Sequence, residues 1–383
     1  MDHALRLFDW LIDGAPGATT SPDVVERIGT ELSAAGIPIA RMAVSVTTLH
    51  PAILGRAFWW SPNTPVLTRE LTHAVQSSAV FQRSPIAYVA SRGVAYRKRV
   101  GEGTSTFDFE FVQDLQKEGF TDYLALPMKF LNGESHVVTF STREPGGFTD
   151  LHVATFEHIL RPLSRLAEIF ALRRTAVNLL NTYVGRNTGE KILAGRIFKG
   201  DIESLRAVIW FSDLRGFTEL SSRSTPKQVI DTLNELFECQ VPAIEAHRGE
   251  VLKFIGDGLL AIFPVGEADV EQRAQDAIAA AHAAQEALAK RNADAKEPIA
   301  FGVALHVGDV AYGNVGSTSR LDFTVIGAAV NLSARLEGLT GKLNRPIVIS
   351  EELARSVKAP LDDLGRFDLK GVGELVRAFA PKA

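Results

Sequence analysis

The chain has 383 residues, 46% hydrophobic and 22% charged, a globular composition with more length than one ordinary domain uses. A net charge of −4 and a pI near 6.2 argue against a nucleic-acid binder, whose domain is usually basic. One cysteine, Cys239, excludes an intrachain disulfide framework and a cysteine-rich metal site, and fits a reducing cytosol.

The N-terminus, MDHALRLFDWLIDG, has acids inside its apolar stretch and does not read as a secretory signal. No window approaches 18 uncharged apolar residues, so a cytoplasmic protein with no membrane span is expected. Ser21-Pro22 caps a helix with Val24, Val25, Ile28 and Leu32 on one face. Residues 43–46 and 56–60 read as strands and 108–118 as a helix. Residues 123–130, the turn Asn132-Gly133 and residues 136–141 form a hairpin pattern. This order over residues 1–150 resembles a GAF-like or PAS-like α/β sensor domain, a sheet between helices. Phe58, Trp59, Trp60 and Tyr88 are candidates either for the pocket of a small-molecule ligand or for plain core.

Residues 151–200 read as a signalling helix and hinge. Phe156, Ile159, Leu163, Leu166, Phe170, Arg173, Val177, Leu180 and Val184 alternate spacings of three and four, a heptad seam broken only by Arg173. That seam predicts a parallel coiled coil between two copies of the chain; an amphipathic helix docked on its own sensor domain is the alternative. Residues 185–200, glycine-rich and mixed in charge, read as the hinge.

Residues 201–383 read as an α+β domain of ferredoxin-like type, joined to the first domain by the long helix. Residues 207–211 are an apolar strand ending in Ser212-Asp213. Thr225-Pro226-Lys227-Gln228 is a capping box. Behind it Val229, Ile230, Leu233, Leu236, Phe237, Val241 and Ile244 share one face. VLKFIGDGLLAIF, residues 251–263, is a hairpin with Asp257 at its tip. A helix over 269–295, strands at 299–307, 310–315 and 323–326, a helix at 328–339, and strands at 346–350 and 367–369 complete the domain.

Asp213 and Asp257 both stand at strand ends, where side chains can converge outside a sheet. Paired carboxylates with phosphate oxygens are a usual seat for Mg²⁺, and two such ions can hold both oxygens of an in-line displacement. By itself, an aspartate between two glycines is an ordinary turn former. After Asp213, the N–H groups of Leu214-Arg215-Gly216-Phe217-Thr218 open toward a helix and could cradle phosphates. Asn331 and Arg335, four apart, share a helix face; the bland alternative is a solvated face. Lys370 is a further candidate phosphate ligand, otherwise an ordinary lysine at a strand end.

FSDLRGFT (211–218), VLKFIGDGLLAIF (251–263), the run GVALHVGDVAYGNVGSTSRLDFTVIGAAVNLSARL (302–336) and LKGVGE (369–374) together resemble the class III adenylate/guanylate cyclase catalytic domain, in order and spacing, over about 203–380. The resemblance implies that Asp213 and Asp257, helped by the Leu214 carbonyl, bind two Mg²⁺ or Mn²⁺ per site. It implies that Lys253 and Thr324 read the purine, Asn331 orients the ribose, Arg335 stabilises the transition state and Lys370 holds the terminal phosphates. Lysine with aspartate or threonine resembles the ATP pattern, whereas guanylate cyclases carry glutamate with cysteine. Thr324 departs from the aspartate of the most familiar members and resembles a threonine subgroup, some of whose members respond to bicarbonate.

The implied protein is an adenylate cyclase that converts ATP to 3′,5′-cyclic AMP and pyrophosphate at a homodimer interface, regulated by the sensor domain. Asp213 and Asp257 of one chain would meet Lys253, Thr324, Asn331, Arg335 and Lys370 of the other. The alternatives are a guanylate cyclase and a catalytically silent, nucleotide-sensing module. A diguanylate cyclase is disfavoured because no Gly-Gly-Asp/Glu-Glu-Phe segment is present.

Overall fold

A computed structural model describes residues 2–50, 53–100, 107–266 and 269–382. The chain divides into two units, Met1–Leu179 and Leu180–Ala383. The first runs α1 (Asp2–Ile12), α2 (Ser21–Ala34), β1 (Arg41–Thr47), β2 (Ile53–Ser61), β3 (Thr64–Thr72), α3 (His73–Ser77), α4 (Ala79–Gln82), α5 (Pro85–Arg92), β4 (Tyr96–Arg99), α6 (Glu110–Lys117), β5 (Asp122–Lys129), β6 (Ser135–Thr142) and into α7 (Asp150–Val184). Its six strands form an antiparallel sheet in the order β3-β2-β1-β6-β5-β4. Strand alternation sends Met42, Val44, Leu124, Leu126, Val138 and Phe140 to one face, against α1, α2 and α7. Tyr123, Ala125 and Val137 go to the other face, against α5 and α6.

The expected α2 forms and buries Val24, Val25, Ile28 and Leu32, but its cap is Thr20, one residue earlier than expected. Thr20 accepts from the Asp23 N–H while Asp23 accepts from the Thr20 N–H, which closes a capping box and leaves Ser21 and Pro22 in the first turn. The hairpin at 123–141 forms as expected, Lys129 opposite Ser135. Strands β3 and β4 were not expected. β3 is mostly exposed and β4 reads YRKR, so neither has the apolar alternation that marks a strand, and pairing to β2 and β5 creates them. Of the four aromatics, Phe58 and Trp60 are core and Tyr88 packs edge-on to Tyr96 and Phe109, whereas Trp59 lies between the guanidinium groups of Arg41 and Arg69.

The long helix is present, but its seam is not where the heptads put it. Phe156, Ile159, Leu163 and Leu166 are buried in the first unit's own core and Phe170 packs onto it. That is the docked-helix alternative for the first half of the seam. What stays exposed is a stripe one residue earlier: Ile169 at 61%, Leu172 at 64%, Leu179 at 38% and Tyr183 at 80%, with Ala176 between. Those residues again alternate spacings of three and four.

The second unit continues with α8 (Arg186–Leu193), β7 (Ile202–Leu214), α9 (Phe217–Arg223), α10 (Pro226–Ala246), β8 (Glu250–Ile255), β9 (Gly258–Pro264), α11 (Val270–Ala293), β10 (Phe301–Gly316), β11 (Leu321–Ile326), α12 (Ala328–Lys342), β12 (Ile347–Ser350), α13 (Glu351–Ala354), β13 (Leu361–Phe367) and β14 (Val376–Pro381). Its sheet order is β13-β14-β12-β10-β7-β9-β8, with β11 on β10. The core sequence β7-α10-β8-β9-α11-β10, with strands ordered β10-β7-β9-β8, is the expected ferredoxin-like α+β arrangement. The α10 and α11 helices cover one face, with Leu236, Ile244, Ala277 and Ala281 against Val208, Trp210 and Phe263. The α12 helix covers part of the other, with Leu336 and Leu339 against Ala304 and Val348.

Three local expectations change here. Residues 299–307 and 310–315 are not two strands: β10 runs unbroken through Gly308-Asp309 because β7 pairs along it from Phe301–Leu214 to Gly313–Ile202. Gly308 is no turn former; a Cβ there would lie 2.6 Å from that of Ala329 on α12. The last strands are β13 and β14, so Leu369 and Lys370 sit in the loop between them and not in a strand at 367–369. The 185–200 stretch contains α8, whose Thr188 and Asn187 donate to Glu250 at the start of β8, at 3.3 and 3.1 Å.

Candidate active site

Register brings the two predicted acids together. Ser212 of β7 pairs with Leu259 of β9, so Asp213 stands beside the β8–β9 turn that carries Asp257. The glycines flanking Asp257 do different work. Gly256 adopts φ +64°, which a left-handed turn residue without a Cβ does at no steric cost. Gly258 makes room: a Cβ there would lie 2.8 Å from the Ser212 carbonyl oxygen and 3.2 Å from Asp213 Oδ1.

Burial pushes the Asp213 carboxyl up to about 7, and the charges of Asp257 and Glu337 and a hydrogen bond with Asp257 push the same way, against the Leu214 N–H. Two carboxylates this close do not both ionise readily without a cation. The donor set therefore fits a divalent ion. Among the described residues no group of three or more His, Cys, Asp or Glu is arranged to hold a metal, so an ion here would take its remaining oxygens from backbone, water or substrate.

Glu337 and Arg215 escaped the sequence reasoning. Asp213 pairs with Gly302, and a Cβ on Gly302 would lie 2.8 Å from Glu337 Oε1. The Glu337 carboxyl is itself raised, chiefly by burial, and accepts from Thr340 at 3.0 Å. Arg215 Nη2 donates to the Thr340 and Arg345 carbonyls at 2.9 and 3.1 Å, tying the loop after β7 to the end of α12. The available signal was the two-residue step from Arg335 to Glu337, which turns about 200° around a helix and puts the acid on the opposite face.

The other predicted residues sit as follows. Leu214 is buried, the last residue of β7, opposite Phe301. Phe217 packs on the core and Thr218 is exposed; Gly216 (φ +73°) stands at the N-cap of α9 and gives its first N–H groups no side-chain cap. Lys253 Nζ lies 2.5 Å from Asp322 Oδ2. Thr324, two residues along β11 on the same face as Asp322, is buried with its hydroxyl lacking a hydrogen-bond partner among the described residues. Asn331, Arg335 and Lys370 are exposed, and among the described residues none makes a side-chain hydrogen bond or ion pair. A single chain thus joins Asp213 to Asp257 and brings Lys253 and Thr324 to neighbouring strands. It leaves Arg335 facing away from the α12 side that meets the acids.

A ferredoxin-like α+β unit whose paired acids close one end of its central strands has the donor chemistry to hold a cation-bound phosphate group. Residues 203–379 match the family described as the adenylate and guanylate cyclase catalytic domain, and this segment belongs to that family. The chain is 36% identical over 169 residues to an adenylate cyclase of Anabaena cylindrica, covering 42% of this chain and 32% of that one. It is 29% identical over 190 residues to the terminal-differentiation-specific adenylate cyclase of Dictyostelium discoideum, covering 48% of this chain and 9% of that one. The matches therefore span under a third of those relatives' lengths. A bacterial light-regulated adenylyl cyclase structure shares the fold at 20% identity and a TM-score of 0.50, covering 70% of this chain and 88% of that one. No helix among the described residues is long and apolar enough to cross a membrane.

Proposed function

We propose that the chain is an adenylate cyclase acting on ATP as a homodimer, with its N-terminal unit as a GAF-like regulatory sensor. The observation that carries the reading is the Asp213–Asp257 pair: burial first, and then the neighbouring Asp257 charge, raise Asp213 to about 7, and such a pair asks for a cation. Asp213, Asp257 and the Leu214 carbonyl would hold two Mg²⁺ or Mn²⁺, which supply charge neutralisation of the triphosphate and a lowered pKa at the ribose 3′-hydroxyl. Arg335 would neutralise charge at the α-phosphoryl group as pyrophosphate leaves, Asn331 would orient the ribose, and Lys370 and the N–H groups of Phe217 and Thr218 would bind the outer phosphates.

The two-fold arrangement is supported by α12. Its Glu337 side meets the acids of its own chain, so Arg335 on the opposite face is available to a partner. Apolar residues beside Lys253 and Asp257 are also exposed, Phe254 and Ile255 among them, as an association surface requires.

For the base, the Lys253 ammonium can donate to adenine N1 and the unpartnered Thr324 hydroxyl can accept from the adenine amino group. One observation favours a second reading. The Asp322 carboxylate beside Lys253 could accept from guanine N1–H and its amino group. The test is purified protein with Mn²⁺ or Mg²⁺ and equal ATP and GTP, with products identified by mass. Cyclic AMP and pyrophosphate in excess are expected. Cyclic GMP in excess overturns the base assignment. Tight nucleotide binding with no product leaves a silent sensing module.

A further inference from the structure

The first unit contains a cleft of about 550 Å³ between β1–β3, α2 and the second half of its own α7 segment. Close packing leaves few voids larger than a water molecule, and a space this size is that of a small-molecule site. Its walls are apolar: Val44, Val46 and Phe58 from the sheet, Val25 from α2, Leu166 and Phe170 from α7. Its charged lining is of one sign: Arg56, Arg173 and Arg174, with no Asp or Glu among the described lining residues. Arg56 is neutralised by Glu70 at 2.6 Å. Arg173 and Arg174 are exposed and, among the described residues, have no ion-pair partner. Within the cleft the Thr48 hydroxyl is buried without a hydrogen-bond partner among the described residues.

Arg173, the one interruption of the α7 heptads, stands exposed at the rim of the cleft beside Arg174, where an anion can meet both guanidinium groups. We propose that the cleft binds an amphiphilic anion, its hydrocarbon body between the sheet and α7 and its acid head at Arg173 and Arg174. Arg173 and Leu166 lie on the helix that continues to Val184, so an occupant changes what α7 packs on. The consequence for nucleotide cyclisation rests on the cyclase reading; the binding site does not.

The test uses the full chain and calorimetric titration with dodecanoate below its micelle-forming concentration. Dodecyltrimethylammonium, with the same tail and the opposite charge, and acetate, with the head alone, are the controls. Saturable one-site binding of dodecanoate is expected, at least tenfold tighter than the ammonium, with acetate undetectable. The double variant Arg173→Glu with Arg174→Glu changes only exposed side chains and should weaken dodecanoate at least tenfold. Ala171→Trp, which fills the cleft, should abolish binding. Absence of saturable binding, equal affinity for the two dodecyl ions, or wild-type affinity in the charge-reversed variant would each overturn the proposal. If dodecanoate binds as expected and leaves the cyclisation rate unchanged, the site stands and its regulatory coupling is refuted. If neither nucleotide is cyclised, the titration still decides the site.

Discussion

Glu250 offers the sharpest structural prediction because the residue is only 7% exposed and its carboxylate accepts hydrogen bonds from β10 and from α8. Oε1 accepts from the Tyr312 hydroxyl at 2.8 Å and from Thr188 at 3.3 Å, and Oε2 from Asn187 at 3.1 Å. Lys191, also on α8, lies 4.2 Å from the centroid of the Tyr312 ring. In Glu250→Ala the Tyr312 hydroxyl loses its best partner while buried, at about 1–3 kcal/mol. The lost methylenes and carboxyl leave a cavity that adds about 1–2 kcal/mol. Against this stands the recovered desolvation penalty of a buried charge. A net destabilisation of ~2–4 kcal/mol follows. At roughly 2–4 °C per kcal/mol for a unit of about 200 residues, the melting temperature should fall by about 5–15 °C. Glu250→Gln keeps the shape and an oxygen for Tyr312, so it should cost ~1 kcal/mol or less. Thermal unfolding followed by circular dichroism, with both variants beside the parent chain, checks this. A Glu250→Ala transition within about 2 °C of the parent would refute the claim that the buried network holds α8 to the sheet.

Other consequences can be measured independently. Asp257→Ala and Arg335→Ala should each abolish cyclisation, and mixing them should restore up to about a quarter of parental activity, as one intact site in mixed dimers predicts; a mixture that stays inactive while both variants dimerise refutes site sharing. Lys253→Glu with Thr324→Cys should raise the GTP-to-ATP rate ratio at least ~10-fold if those two side chains carry the discrimination; an unchanged ratio assigns it elsewhere. Leu172→Glu with Leu179→Glu should weaken self-association at least ~10²-fold, since burying each leucine contributes about 1.5–3 kcal/mol; unchanged sedimentation would mean that the exposed α7 stripe is not a seam. His306 is buried, its Nδ1 2.8 Å from the Ser350 hydroxyl, and burial holds its pKa below 6.5. Its neutral form is the one folding favours, so its stabilising contribution is complete above the unfolded pKa and is lost as pH falls through the folded value. The melting temperature should therefore drop more between pH 7.5 and 5.5 in the parent than in His306→Gln, and equal drops would contradict the sign.

Much of the architecture was written locally. Thr225 and Gln228 close the capping box of α10 within four residues, and Pro226 sits at its first helical position. The 123–141 hairpin needs only its turn and its alternation. Apart from the one-residue shift of the α2 cap, what misled the sequence reading was mostly non-local. Gly308 has the look of a break but is a close approach to Ala329, 21 positions on. The heptads of α7 are real, but two surfaces compete for the helix. The sheet of the first unit takes Phe156 to Leu166, and the exposed stripe left over is displaced by one residue. Ile230, expected on the buried face of α10, is exposed beyond the helix's first turn.

The sequence by itself determined the chemistry available: two aspartates at strand ends, a lysine and a threonine near a hairpin, and an exposed asparagine and arginine one helical turn apart. Those follow from periodicities of two and 3.6 residues, which act over a few residues at a time. Only the tertiary structure decided which groups share an environment. Register across β7, β9 and β10 brings Asp213, Asp257 and Glu337 together, and burial, reinforced by their mutual repulsion, makes Asp213 a weak acid. The cleft beside α7 likewise exists only because strands and helices far apart in the chain face one another. Coulomb and desolvation energies depend on distance in space, and no local pattern records that distance.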